Sequence, residues 1–197
     1  MIEILKKIYR LLKQIYIFLF CKLRYGFAVC KSRIYKPLRI CGASNIYIYA
    51  NCFIMPLARL EAVRFYSGKQ YDGKLIIKDG VNIGQGTHII ASSELIIEKN
   101  ATLSSYVFIS DCHHGYEDIE TNIMRQPLIV KPVHIGEGCL IGRGVAVLAG
   151  VSIGKHSVIG ANSVVTKSVP DYCIATGIPA KVIKKYDFEQ QKWVKVN

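Results

Sequence analysis

The densest concentration of reactive side chains in this 197-residue chain lies between positions 110 and 132. Asp111, Cys112, His113, His114, Tyr116, Glu117, Asp118 and Arg125 stand close together there. Imidazole is the side chain that changes charge near neutrality, so a histidine in this segment can take the proton of a hydroxyl as its oxygen attacks an electrophile. Asp111, three residues before His114, could orient the ring or bind an acceptor. Cys112 raises a second chemistry, a thiolate nucleophile activated by histidine. In an arbitrary loop both histidines would read as solvated residues, so the elements that hold the segment decide what it can do.

Those elements are announced by a period of six. From position 133 to 169 every sixth residue is Ile or Val (Ile135, Ile141, Val147, Ile153, Ile159, Val165). The residue two before each is small or apolar: Val133, Cys139, Val145, Val151, Ser157, Ser163. Strand side chains alternate faces, so the i and i−2 positions point inward from short strands. Gly136, Gly142, Gly154 and Gly160 follow four of these anchors and are expected at tight corners, often at positive φ. A six-residue period is the signature of a parallel β-helix.

The same pattern runs upstream as Leu75/Ile77, Val81/Ile83, Thr87/Ile89, Leu95/Ile97, Ala101/Leu103 and Val107/Ile109, with a slip of two residues between Ile89 and Leu95. It begins faintly at Ile46/Ile48 and Cys52/Ile54, and residues 61–73 read as a loop. With three hexads per coil there is room for about four or five coils, stacked roughly 4.8 Å apart. The interruption at 110–132 leaves directly from a coil, and loops that long inside compact domains are usually functional.

Residues 1–35 differ in kind. Ile4, Leu5, Ile8, Leu11, Leu12, Ile15 and Leu19 recur at helical spacing, with Lys6, Lys7, Arg10 and Lys13 between them. The uninterrupted apolar run is too short to span a bilayer. Such a basic amphipathic helix can cap the open end of the solenoid or lie against the inner-membrane surface. Residues 36–185 form the β-helix domain, and 186–197 read as a C-terminal helix or arm.

The net charge of +12, from 26 Lys and Arg against 14 Asp and Glu, calls for an anionic partner. No aromatic stacking motif accompanies the basic residues, which excludes a known nucleic-acid module. Seven cysteines without C-x-x-C spacing exclude a zinc site or a disulfide scaffold and point to a reducing, cytoplasmic compartment. His88, His134 and His156 lie in the repeat, and two of them fall on outward positions and read as surface.

With the repeats and the histidine segment in view, the chain resembles the hexapeptide-repeat acyltransferases, in the branch of maltose, nodulation and polysaccharide O-acetyltransferases. The residues that carry the resemblance are Ile135-Gly136-Glu137-Gly138-Cys139-Leu140-Ile141-Gly142, Gly150-Val151-Ser152-Ile153-Gly154, Ile159-Gly160-Ala161-Asn162-Ser163-Val164-Val165-Thr166-Lys167 and Gly177-Ile178-Pro179-Ala180-Lys181. Parallel crossovers are ordinarily right-handed; the left hand expected here comes from the resemblance.

The resemblance further implies an all-β, left-handed parallel β-helix, a homotrimer, and an acetyl-CoA-dependent transfer to a sugar hydroxyl of a surface polysaccharide or its precursor. N-acetylation of an amino sugar and a non-catalytic scaffold are the alternatives. The relatives' Asp-His-x-His-Gly segment reads Asp111-Cys112-His113-His114-Gly115 here, which places His114 on the catalytic position with Asp111 beside it. Cys112 and Leu140 depart from the family pattern. Gly142, Gly160, Ala161, Thr166, Lys167, Pro179 and Lys181 fall on cofactor positions; Asp111, Tyr116 and Arg125 are candidates for the saccharide acceptor. No metal is required.

Overall fold

A computed structural model describes residues 2–25, 32–35, 37 and 39–196. Cys30 lies outside the described residues, as does the side chain of Cys21. The body is a three-faced stack of parallel strands. The first face runs Arg33–Ile34, Phe53–Ile54, Asn82–Ile83, Thr102–Leu103, Leu140–Ile141, Val158–Ile159 and Cys173–Gly177. Arg39–Cys41, Arg59–Ala62, His88–Ala91, Phe108–Ser110, Ala146–Val147 and Val164–Val165 make the second. The third consists of Ile46–Ile48, Lys74–Ile77, Glu94–Ile97, Val133–Ile135 and Ser152–Ile153. The stack is taller than the four or five coils expected. Ser32/Ile34, Ala58/Leu60 and Cys173/Ala175 add inward pairs at places where loops break the period.

Register explains the six-residue rule. Leu140 pairs with Val158 and Ala146 with Val164, a step of eighteen residues or three hexads per coil. The inward residues therefore stack in columns. One column runs Ile34, Ile54, Ile83, Leu103, Ile141, Ile159, Ala175, each no more than 5% exposed. Ser157 and Ser163 also point inward and are fully buried. Their hydroxyls donate to the carbonyls of Pro170 (2.7 Å) and Gly160 (2.7 Å), so no polar group is stranded. Cys139 is a core residue whose thiol burial pushes up to about 11, which makes it a small hydrophobe rather than a nucleophile.

The glycines at the corners do not do what the period suggested. Gly142 is not at positive φ; a Cβ there would stand 2.7 Å from the backbone nitrogen of Ala161, on the next coil. The left-handed position is two residues later, at Gly144 (φ +67°), and in the coil above it is taken by Asn162 (φ 57°). Close coil-to-coil approach is what requires glycine directly after the anchor.

The C-terminal segment is a pair of strands and not a helix. Cys173–Gly177 pairs antiparallel with Ala180–Asp187, which pairs with Lys192–Lys195. Tyr172, Tyr186, Phe188 and Trp193 meet edge to face at centroid distances of 4.9 to 5.4 Å and pin this hairpin beside the last coils. At the other end, α1 (Ile2–Tyr25) makes its principal contact with the body at Arg33–Ile34. Its residues Ile4, Ile8, Leu11, Leu12, Ile15 and Leu19 are 46% to 62% exposed, so this face does not cap the solenoid.

Ile141→Ala should cost about 2–5 kcal/mol, because the column cannot collapse around the hole. Leu140→Ala, one residue away on the outward side, should stay within about 0.5 kcal/mol. Urea unfolding midpoints of the two variants check the contrast.

Candidate active site

Two insertions leave the β-helix from one column. Ile90 pairs with Glu61 on one side and Ser110 on the other, so the strands ending near 62, 91 and 110 finish together at the corner between the second and third faces. Residues 63–73 leave from the first of these and fold as a small hairpin, Phe65–Tyr66 against Lys69–Gln70. The histidine segment leaves from the third. Its two ends form an antiparallel pair, with Cys112 opposite Val130, His113 opposite Ile129 and His114 opposite Leu128. Gln126, 5% exposed, holds the tip: its amide nitrogen donates to the carbonyls of Asp118 (2.7 Å) and Thr121 (2.9 Å).

Asp111 does not orient the histidine. It is fully buried, and its carboxylate accepts hydrogen bonds from Ser92 N (2.6 Å), Ser93 N (2.7 Å) and Ser93 Oγ (2.9 Å). Ser92 and Ser93 are the two-residue slip seen in the repeat, and the lengthened corner leaves amides that need an acceptor. Burial raises the Asp111 pKa against the opposing effect of those donors. The residue thus ties the root of the loop to the coil below. Cys112 also faces that corner, its thiol 3.1 Å from Ser92 Oγ.

His114 borders a cleft of about 540 Å³, together with Phe108, Ser110, His113, Tyr116, Leu128 and Leu148. Its Nδ1 is buried and has no hydrogen-bond partner among the described residues. The ring is placed by packing: Tyr66 lies against it at a centroid distance of 5.2 Å and 57°. Tyr116 stacks on His113 at 5.7 Å within the same cleft. Arg125 sits in the short 3-10 turn Ile123–Arg125, exposed and outside the cleft lining. Of the three acceptor candidates the structure therefore brings only Tyr116 to His114.

The expected cofactor residues divide between two corners. Gly142, Gly160 and Ala161 stack at the opposite corner, between the first and second faces, where Ala161 is exposed. The turn containing Pro179 and Lys181 is joined to that corner through Ser163, whose hydroxyl donates to Gly160 O and accepts from Gly177 N (3.0 Å). Thr166 and Lys167 are exposed just past Val164–Val165, at the corner between the second and third faces and two coils beyond the histidine segment. One chain thus carries the histidine cleft and the stacked glycine corner on different edges of its second face, which is about four residues or roughly 13 Å across.

Of the repeat histidines, His134 faces outward 3.6 Å from Glu98, and His156 stacks on Tyr172 at 5.5 Å. His88 is partly covered between Arg59 and Phe108. Burial and then Arg59 lower its pKa below the ordinary 6.5. A depressed histidine pKa means that the fold favours the neutral ring. The contribution is complete above about 6.5 and is lost as pH falls toward the folded-state value. His88→Gln should flatten that acid limb of the stability curve, as followed by thermal melting against pH.

Tyr66 and Tyr71 were not legible as site residues, because the segment that holds them reads only as a loop. The Tyr66 hydroxyl donates to Met124 O (2.6 Å), and the Ser67 hydroxyl donates to Arg125 O. Tyr71, 6% exposed, accepts from Leu128 N at 2.7 Å, on the strand that pairs with His114. The signal was available in phase: Leu60 and Ile109 occupy the same inward position, so both insertions start at one corner. Tyr71→Phe leaves a buried N–H unpaired and should cost about 1–3 kcal/mol, read by chemical denaturation at unchanged m-value.

The sequence and fold have known counterparts. Residues 132–167 match the bacterial transferase hexapeptide (six repeats) family. A putative lipopolysaccharide biosynthesis O-acetyl transferase of Escherichia coli K12, WbbJ, is 35% identical over 130 residues, covering 62% of this chain and 66% of that protein. A probable acetyltransferase of Mycobacterium tuberculosis is 36% identical over 116 residues, 59% of this chain and 39% of that one. The chain thus matches just under two thirds of the first of these relatives and about two fifths of the second. Among solved structures, a variant of the N-acyltransferase AntD from Bacillus cereus, in complex with dTDP and coenzyme A, has a TM-score of 0.66 at 19% identity, covering 85% of this chain and 88% of that one. A hexapeptide-repeat acetyltransferase of Vibrio cholerae, in complex with acetyl-CoA, has a TM-score of 0.57 at 21% identity, covering 88% and 78%. The fold is the left-handed parallel β-helix of these proteins, and the chain belongs to the hexapeptide-repeat acetyltransferase family.

Proposed function

We propose that this protein is an acetyl-CoA-dependent O-acetyltransferase that acts in the cytoplasm on a sugar hydroxyl of a bacterial surface polysaccharide or its precursor. The observation that carries the reading is His114, held on a braced strand pair at the mouth of a cleft large enough for a saccharide ring. In this reading His114 removes the proton of the acceptor hydroxyl as its oxygen attacks the thioester carbonyl. The tetrahedral adduct collapses, the C–S bond breaks, and the imidazolium returns the proton to the leaving CoA sulfur. Holding the two substrates together supplies much of the remaining acceleration.

Acetyl-CoA enters as substrate. The exposed corner at Ala161, the turn at Pro179 and the ammonium group of Lys181 suit a pantetheine arm and its phosphates, and Lys167 meets the phosphates from the histidine edge. The histidine cleft and this corner lie on different edges of one chain, which supports a homotrimer in which each site joins the cleft of one copy to the corner of the next. The similarity to the E. coli lipopolysaccharide biosynthesis O-acetyl transferase, at 35% identity, favours a hydroxyl over an amine acceptor.

His114→Ala should lose about 10²–10⁴-fold in kcat while acetyl-CoA still binds. Cys112→Ser should stay within about tenfold, since its thiol faces the Ser92 corner. Lys167→Ala should raise the KM for acetyl-CoA more than it lowers kcat, because it meets phosphate and not the reacting atoms. Steady-state thiol release with a panel of nucleotide-linked and lipid-linked saccharides checks all three. Loss of activity in Cys112→Ser with retention in His114→Ala would replace the general base by a thiol.

A further inference from the structure

The feature that acetyl transfer leaves unused is α1. At about 100° per residue, Ile4, Ile8, Leu11, Leu12, Ile15 and Leu19 fall within an arc of roughly 100° on the helix surface. All six are open, at 46% to 62% exposure. An unbroken apolar stripe of this size is not a neutral surface feature on a water-soluble body. The first coil buries Ile34 to 5% exposure while the stripe stays uncovered.

The other side of the helix says what the stripe fits. Lys6 and Arg10 lie on the opposite arc and Lys7 at the edge of the stripe, with Glu3 the sole acid of the helix. The sequence of α1 adds Lys13, Lys22 and Arg24, six basic residues against one acidic. Tyr9 and Tyr16, 66% and 67% exposed, sit at the boundary between the two arcs. Their rings are apolar with a polar tip, the form that prefers a water–lipid boundary. No described helix is long and apolar enough to cross a bilayer.

We propose that α1 is a membrane-surface element that lies flat on an anionic phospholipid leaflet. The apolar stripe is buried at the headgroup–acyl boundary, Lys7 at its edge meets lipid phosphates, and the other Lys and Arg are held near the surface by the leaflet's negative potential. Charge decides between this and a second copy of the chain. Helices of several copies packed stripe to stripe would cover the apolar face but leave their cationic sides facing water with no counter-charge. An anionic leaflet satisfies the stripe and the charge together. The inference is independent of the acetyl-transfer reading; where both hold, the cleft is brought to an acceptor presented at a membrane.

The test uses the full chain in vesicle flotation, with phosphatidylcholine vesicles alone or carrying about 30% phosphatidylglycerol. The expected result is flotation with the anionic vesicles only, weakening as salt shortens the screening length. The triple variant Lys6→Glu/Lys7→Glu/Arg10→Glu and the double variant Leu11→Ser/Leu12→Ser should each reduce partitioning by on the order of a hundredfold. Melting temperature and acetyl-CoA binding should be unchanged in both, because α1 lies outside the β-helix core. Two results overturn the proposal. One is no flotation of the unaltered chain with anionic vesicles at low salt. The other is Leu11→Ser/Leu12→Ser leaving partitioning intact while lowering the oligomer mass in light scattering, which would assign the stripe to a second copy.

Discussion

The constraint on which the rest depends is the eighteen-residue coil step, held by inward side chains stacked in columns. A shift of one residue within a strand would turn every buried Ile and Val of that rung outward. The chain can therefore accept extra residues only at corners. Every irregularity obeys this: the Ser92–Ser93 slip, the hairpin at 63–73 and the histidine segment all sit at the corner between the second and third faces. Chemistry is confined to corners because the columns allow it nowhere else.

One corner carrying three irregularities has consequences for order. The lengthened turn at Ser92–Ser93 exposes amides, and Asp111 supplies the acceptor, at the cost of burying a carboxylate. The 63–73 hairpin lends hydroxyls of Tyr66, Ser67 and Tyr71 to the backbone of the other insertion. A 23-residue excursion that would otherwise be held by its own turns is thereby laced to a second one. His114 gains a fixed place without a charged partner on its Nδ1.

The architecture was legible because a six-residue period has few physical meanings. The inward pairs from Leu75 to Val165 were found where the sequence placed them, and the pairs Ser32/Ile34 and Ala58/Leu60 were missed where loops interrupt the count. The readings at Gly142 and Asp111 needed correction for geometric reasons. Gly142 is small because the next coil passes 2.7 Å from where its Cβ would be, a contact that one-dimensional spacing does not reveal. Asp111 looked like a partner for His114 at three residues' separation, yet its carboxylate goes to the neighbouring corner, where the Ser92 and Ser93 amides need an acceptor. Tyr71 was invisible because its contact to Leu128 spans 57 residues of sequence. The C-terminal hairpin was ambiguous because its alternation is broken by charged residues on an edge strand, as edge strands usually are.

The division of the second face into a histidine edge and a glycine-corner edge is the centre of the functional account, since in the proposed reading two copies complete one site. Subunit complementation measures this directly. His114→Ala and Ala161→Trp each disable one edge, and chains of the two kinds are co-refolded with distinct tags to confirm mixed oligomers. The account predicts that each variant alone is inactive and that mixed oligomers regain acetyl transfer, through sites pairing an intact cleft with an intact corner. Mixed oligomers that stay inactive, or an Ala161→Trp protein fully active by itself, would contradict it.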